Sequence, residues 1–207
     1  MNGERQPVVY VVDDDPAVSQ SLRFLLGSVK LKTRVFAGVR NFLDAYDARL
    51  PGCLLLDIRM PGMSGIEVLD RLEEFGVALP VIVLTGHGDV PLAVHAMKSG
   101  AVDFLRKPVP PQQLLDTVQL ALRADAENRR ARAAADEIAR RLGALSARER
   151  EVLERVARGG INKQIAAELG ISPRTVESHR ANGMKKLGAR NLVELIGLVA
   201  PRSVRTA

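Results

Sequence analysis

Two short apolar runs in this chain end abruptly in carboxylates: Val11-Val12-Asp13-Asp14-Asp15 and Leu54-Leu55-Leu56-Asp57. Continuous Val and Leu have the composition of a strand buried on both faces, as in a parallel sheet covered by helices. Such sheets bind ligands at the carboxyl ends of their strands, where these acids would emerge. Asp13, Asp14 and Asp57 would converge there and repel one another unless a cation sat among them. An oxygen-only donor set favours a hard ion such as Mg2+. Thr85 closes another apolar run, and Lys107 follows Phe104-Leu105, so a hydroxyl and a mobile ammonium reach the same edge. That set suits a transferable phosphoryl group, whose oxygens need a metal, a cation and a hydrogen-bond donor. Asp57, on the central strand, is the candidate nucleophile and would form an aspartyl phosphate. The competing use of the first acids is to cap the helix that Pro16 opens. Asp15 is best placed for that.

Alternating strands and helices would have to position these groups. Apolar runs at Val8–Val12, 33–36, 53–56, 81–84 and 104–105 read as strands. Between them, Val18, Leu22, Leu25, Leu26 and Val29 keep a helical period after Pro16, and residues 41–46 make a short helix. A turn-rich loop at 60–65 precedes a helix with Ile66, Leu69 and Leu72. Leu92, Val94 and Met97 mark a fourth helix closing at Gly100. Five strand–helix alternations predict an α/β fold, a doubly wound five-stranded parallel sheet with helices on both faces. A fifth helix from Gln112 continues without Gly or Pro to Gly143. Ala, Arg and Glu dominate its later part, so a solvated helical spacer is expected.

Charge divides the chain. Residues 1–122 carry a net charge of −2, residues 123–145 carry +2 and residues 146–207 carry +6, so the whole excess lies beyond residue 122. Such asymmetry suggests an acidic signalling or catalytic half and a nucleic-acid-binding half. No stretch approaches the about 18 consecutive apolar residues of a membrane span, and a secretory leader pattern is lacking. The one cysteine, Cys53, falls in a predicted core strand, which excludes an intramolecular disulfide and agrees with a reducing cytoplasm.

The basic half reads as an all-α four-helix domain. Ser146 and Glu149 have capping-box spacing before a helix with Val152, Leu153 and Val156. A second helix carries Ile165, Ala166 and Leu169. Gly170-Ile171 turns, Ser172 caps, and Pro173 begins a third helix to Leu187. Asn191 and Glu194 resemble a further box before a last helix. Two short helices about a Gly turn read as helix-turn-helix. On the third helix, Val176, His179, Gly183, Met184 and Leu187 share one side. Arg174, Glu177, Ser178, Ala181 and Lys185 share the other, offering donors, an acceptor and a methyl to base edges. Lys163, Arg180 and Lys186 would reach phosphates.

The residues Val11 to Asp15, Asp57-Ile58-Arg59-Met60-Pro61-Gly62, Thr85, and Phe104 with Lys107-Pro108 resemble the receiver domain of two-component response regulators, over about residues 7–122. Leu145 to Leu153, Asn162 to Ala166, Ile171 to His179 and Lys186-Leu187 resemble the LuxR-type DNA-binding domain, and the whole is similar to the NarL/FixJ family. The resemblance implies a receiver at 1–122, a linker at 123–143 and a DNA-binding domain at 144–207. It implies Asp57 as phosphoacceptor, and Mg2+ held by Asp13, Asp14, Asp57 and the Arg59 carbonyl. Thr85 and Phe104 would be a switch pair beside Lys107, with a cis Lys107-Pro108 bond. Thr175 joins the DNA-facing residues. Partners would be a sensor histidine kinase, double-stranded promoter DNA, RNA polymerase and, on phosphorylation, a second copy; no membrane is implied. His87 could tune the lifetime of the phosphorylated state, and His95 is expected on a helix surface. Two positions depart from the family pattern. Ile161 stands where Ser or Thr caps, leaving Asn162 to do so. Gly183 stands where a branched residue packs, so that Gly183→Ile is expected to raise the melting temperature. A Mg2+-dependent phosphohydrolase acting on small substrates is the alternative, but no general base is evident. A DNA-binding protein whose receiver is never phosphorylated is a further one.

Overall fold

The structure, a computed structural model, describes residues 6–86 and 90–199. Five parallel strands, β1 (Val8–Val12), β2 (Lys32–Phe36), β3 (Gly52–Asp57), β4 (Val81–Thr85) and β5 (Asp103–Arg106), lie in the order β2-β1-β3-β4-β5. The doubly wound expectation holds. Strand order reverses direction between β1 and β3, the switch point at which such sheets bind ligands. The register aligns Val12 with both Phe36 and Leu56, and Asp57 with Leu84, so the acid-bearing ends meet there.

Alternation along the strands builds two cores. Val8, Tyr10, Val12, Leu54, Leu56, Val81 and Val83 face α2 (Val39–Ala45), α3 (Gly65–Asp70) and α4 (Val90–Lys98). Val9, Val11, Cys53, Leu55, Ile82 and Leu84 face α1 (Pro16–Ser28) and α5 (Pro111–Gly143). Strands buried on both faces need no polar alternation, which is why the sequence shows unbroken Val and Leu. Cys53 lies inside this core, and burial pushes its thiol up to about 12.

Local signals set the boundaries. The Asp15 carboxylate accepts from Ala17 N at 2.8 Å and caps α1, with Pro16 at its first position. Ser64 and Glu67 close a capping box on α3. Inside the turn-rich loop, it has the same Ser-x-x-Glu spacing that marks Ser146 and Glu149.

The chain divides into two compact units between Arg129 and Arg130. The helix expected from 112 to 143 exists as α5, but its turns through Arg129 belong to the first unit, so the solvated spacer does not begin at residue 123. Asp125 is buried and accepts from Gly52 N at 2.9 Å and Arg129 Nε at 2.8 Å. Arg129 also donates to the carbonyls of Ala48 and Leu50.

In the second unit, α6 (Ala147–Ala157), α7 (Asn162–Leu169), α8 (Pro173–Leu187) and α9 (Leu192–Val199) enclose a core of Val152, Leu153, Val156, Ile165, Val176, Leu187 and Leu195. Gly170, at φ 65°, makes the left-handed turn between α7 and α8.

Candidate functional site

At the carboxyl edge of the sheet, Asp13, Asp14 and Asp57 present carboxylate oxygens that all lie within 4.8 Å of one another. Asp13 and Asp57 are buried, while Asp14 is exposed. Lys107, directly after β5, places its Nζ 2.6 Å from both Asp13 Oδ2 and Asp57 Oδ1. The backbone amide of Arg59 donates to Asp57 Oδ2 at 2.9 Å, and that of Asp15 to Asp13 Oδ1 at 3.0 Å. Every buried carboxylate oxygen of the pair thus has a donor.

Electrostatics leave the cluster short of positive charge. Three carboxylates against one ammonium give a formal charge of −2, which one divalent cation would cancel. Burial raises the Asp57 carboxyl above its ordinary value, and the Lys107 contacts only partly offset this. Burial pulls the Lys107 ammonium down, but its hydrogen bonds to Asp13 and Asp57 outweigh that and hold it above the usual lysine value. The ammonium therefore stays charged and pinned between two acids. An all-oxygen donor set of this spacing and charge fits a hard cation such as Mg2+.

Thr85 ends β4 fully buried, and its carbonyl accepts from Lys107 N at 2.7 Å. The Lys107-Pro108 bond is cis. Phe104 is half-buried against the core beneath α3 and α4. Gly65 was overlooked by the sequence reading: a Cβ there would lie 2.1 Å from the Asp57 carbonyl oxygen. Only glycine lets the start of α3 sit this close to Asp57. His87 lies outside the described residues. His95 is exposed as expected, but it is not solitary: its Nε2 lies 3.0 Å from Asp70 Oδ2, and Ser99 donates to the same carboxylate. Histidine and serine attached to one acid tie α4 to α3 and form no proton relay.

The second unit sets α8 across α6 and α7 as a helix-turn-helix. Arg174, Glu177, Ser178, Ala181 and Lys185 are exposed along α8, and Lys163 is exposed on α7. Two other expected DNA contacts, Thr175 and the exposed Lys186, also have partners within this unit. The Thr175 hydroxyl lies 2.8 Å from that of Ser172, within the α8 cap. Lys186 donates to the capping-box carboxylate of Glu149 at 2.7 Å, bolting α8 to α6. Arg180 is half-buried.

Both departures from the family pattern resolve differently from expectation. Asn162 does not cap α7. Ile161 takes the cap position with no side-chain acceptor, and Gln164 accepts from its amide at 3.5 Å. Asn162 instead donates to Glu177 Oε1 at 3.4 Å. At Gly183 there is no gap to fill, because Leu153 has grown into it: a Cβ would meet Leu153 Cδ1 at 2.7 Å and Cγ at 3.2 Å. Leu153 is fully buried, so a larger side chain displaces it only at the expense of its own packing. Gly183→Ile is therefore expected to lower the melting temperature, by overpacking worth about 1–3 kcal/mol. Gly183→Ala should be nearly neutral, because the about 1 kcal/mol gained in helix propensity offsets the displacement of Leu153. Thermal denaturation of both variants checks this, and a rise for the isoleucine would refute it.

Glu149 gives a pH signature. Its carboxyl is held below the ordinary value, first by Lys186 and then by the Ser146 amide. A depressed acid stabilises the fold above its unfolded value, here 4.5, and loses that contribution as pH falls through the lower folded value. Glu149→Gln should cost about 2 kcal/mol at neutral pH. The melting gap to wild type should close as the pH drops below 4.5. A pH-independent gap would mean that packing, not charge, holds Glu149.

Known proteins agree with this division. Residues 9–119 match the response regulator receiver domain, and residues 143–199 match the luxR family of bacterial regulatory proteins. The transcriptional regulatory protein FixJ of Azorhizobium caulinodans is 48% identical over 96% of this chain and 94% of its own length. The response regulator protein TodT of Pseudomonas putida is 41% identical over 93% of this chain and 85% of its own. The solved structure of the response regulator StyR superposes with a TM-score of 0.87 at 45% identity, covering 94% of this chain and 98% of that one. The chain belongs to the NarL/FixJ family of response regulators, transcriptional regulators that join a receiver to a LuxR-type helix-turn-helix domain. No helix among the described residues is long and apolar enough to cross a membrane.

Proposed function

We propose that Asp57 accepts a phosphoryl group from the phosphohistidine of a sensor histidine kinase. An Asp57 carboxylate oxygen attacks phosphorus, the P–N bond breaks, and its electron pair leaves with the imidazole nitrogen. The carrying observation is the Lys107 ammonium, 2.6 Å from both Asp13 and Asp57, which can follow the incoming phosphoryl oxygens. Asp13, Asp14 and Asp57, with the Arg59 carbonyl, would hold Mg2+, which when bound offsets charge on the phosphoryl oxygens. The only reaction assigned to the chain is this transfer and the later hydrolysis of its own phosphoaspartate. Thr85 and Phe104 serve as the switch, one at the end of β4 and the other in β5. The exposed apolar side chains Val90, Val94 and Met97 on α4, together with β5, supply the surface on which two phosphorylated copies pair. Pairing sets two α8 helices on promoter half-sites about 10 base pairs apart, from which the dimer engages RNA polymerase in the cytoplasm. Arg174, Glu177, Ser178 and Lys185 face the bases, and Lys163 and Arg180 the phosphates.

The test is incubation with acetyl phosphate and Mg2+, followed by intact mass, sedimentation and DNA binding. A single added phosphoryl group, a larger species and tighter DNA binding are expected. Unchanged mass would sink the phosphoacceptor reading; sustained turnover of a generic phosphate ester would favour the phosphohydrolase.

A further inference from the structure

The last turns of α5 touch the recognition helix. Arg141 Nη1 donates to the Leu187 carbonyl at 3.1 Å, on the final residue of α8. That carbonyl is one of the helix-end acceptors with no partner inside the helix, and a cation there also opposes the negative end of the helix dipole. Arg141 does not reach it by chance. Its Nε donates to Glu137 Oε1 at 2.7 Å, one turn earlier on α5, so the guanidinium is held between Glu137 and α8. Arg140 and then Arg141 hold the Glu137 carboxyl down to about 2, so this anchor is ionised at any physiological pH. Gly188, at φ 71°, completes the fit: a Cβ there would lie 2.9 Å from Arg141 Nη1. The other end of α8 is fixed by Ser172, and its last turn also by Lys186 on Glu149.

We propose that Arg141, oriented by Glu137, is a positioning residue for DNA reading: the end of the linker helix caps the recognition helix and sets the pose in which Arg174, Glu177, Ser178 and Lys185 meet the bases. This rests on the DNA-binding reading above. It makes the Glu137–Arg141 turn part of the reading head, not of a spacer. A small tilt of α8 about its C-terminal end would move its base-facing side chains out of hydrogen-bonding range while leaving long lysine and arginine contacts to phosphates intact. Loosening the cap should therefore cost specificity before it costs nonspecific affinity.

The experiment uses the full chain treated with acetyl phosphate and Mg2+, a duplex enriched by the wild-type protein from a random pool, and a scrambled duplex of equal length. Arg141→Met keeps the apolar stem and removes the donors; Arg141→Lys restores a charge; Arg174→Ala marks loss of a direct contact. Expected for Arg141→Met is about a tenfold loss on the enriched duplex, the scale of one base-reading interaction. Scrambled-duplex affinity and salt slope should stay unchanged, with partial rescue by lysine. A lower melting temperature with unchanged affinity of the folded fraction would overturn the proposal as mere stabilisation. So would an equal loss on both duplexes with the salt slope falling by about 0.9, the mark of a phosphate contact. If the wild type enriches no duplex, the DNA-binding reading itself fails and this inference falls with it. Loss in Arg174→Ala with none in Arg141→Met would overturn the positioning role alone.

Discussion

Asp57→Asn is expected to abolish every response to acetyl phosphate while making the receiver more heat-stable. The two effects have one cause. Asp57 is only 4% exposed and shares its pocket with Asp13 and the nearby Asp14, so its charge is held in a place that disfavours it. The asparagine amide keeps a carbonyl oxygen to accept from Lys107 or from the Arg59 amide, yet removes one of three negative charges. Lys107 then faces one carboxylate, that of Asp13, instead of two. An amide cannot take up the phosphoryl group, so the gain in DNA affinity and size should vanish. For stability the sign runs with the raised acid. A carboxyl whose folded value lies above 3.8 favours the fold while protonated, and costs stability as the pH rises through the folded value. The melting advantage of the variant should thus be absent in strong acid and grow toward neutrality, when measured without divalent cations. Asp15→Asn, altering a helix cap with no place in the cluster, should keep the response. An Asp57→Asn protein that still tightens on DNA with acetyl phosphate would end the proposal.

The largest loss of stability is expected from Asp125→Ala. Its carboxylate is buried, accepts from Gly52 N, and pairs with Arg129, which in turn holds the carbonyls of Ala48 and Leu50. Deleting it strands the Gly52 amide at the start of β3 and releases the guanidinium that closes the preceding loop. Breaking a buried pair from one side costs about 3–5 kcal/mol, and the partial exposure of Arg129 places this case near the lower end. Asp125→Asn keeps one acceptor and should lose about half as much. Glu127→Ala, two residues on and exposed, is the control and should change little. Denaturant unfolding of the receiver transition decides the matter. A loss no larger than the control would restore residue 123 as the start of a solvated spacer.

That contrast shows where sequence reading reached and where it stopped. Unbroken Val and Leu runs ending in Asp13 and Asp57 carry their own meaning, because a strand buried on both faces and closed by an acid has few alternatives. The same holds for Ser146 with Glu149 and for Gly170: caps and left-handed turns are settled within four residues. Ser64 with Glu67 is equally local. Asp125 is not. In a helical stretch rich in Ala, Arg and Glu it looks like any solvated acid, and its partner Gly52 lies 73 residues away in the chain. Nor does local sequence show that Lys186, expected to reach a phosphate, also donates to Glu149, 37 residues distant.

Gly183 shows the limit most sharply. A glycine within a helix reads locally as a missing side chain, and only the packing reveals that Leu153 already fills the volume. By itself, then, the sequence determined the sheet, the acid-bearing strand ends, the basic helical half and the identities of the groups that could carry a phosphoryl signal. Those follow from periodicity, composition and local capping. Tertiary structure alone decided which charges are committed to the fold and which remain for a ligand. Lys107 is pinned between Asp13 and Asp57, Arg141 lies on the end of α8, and Asp125 sits beneath β3. The reason is physical: a charge acquires its energy from neighbours a few ångströms away in space, and distance along the chain does not measure that.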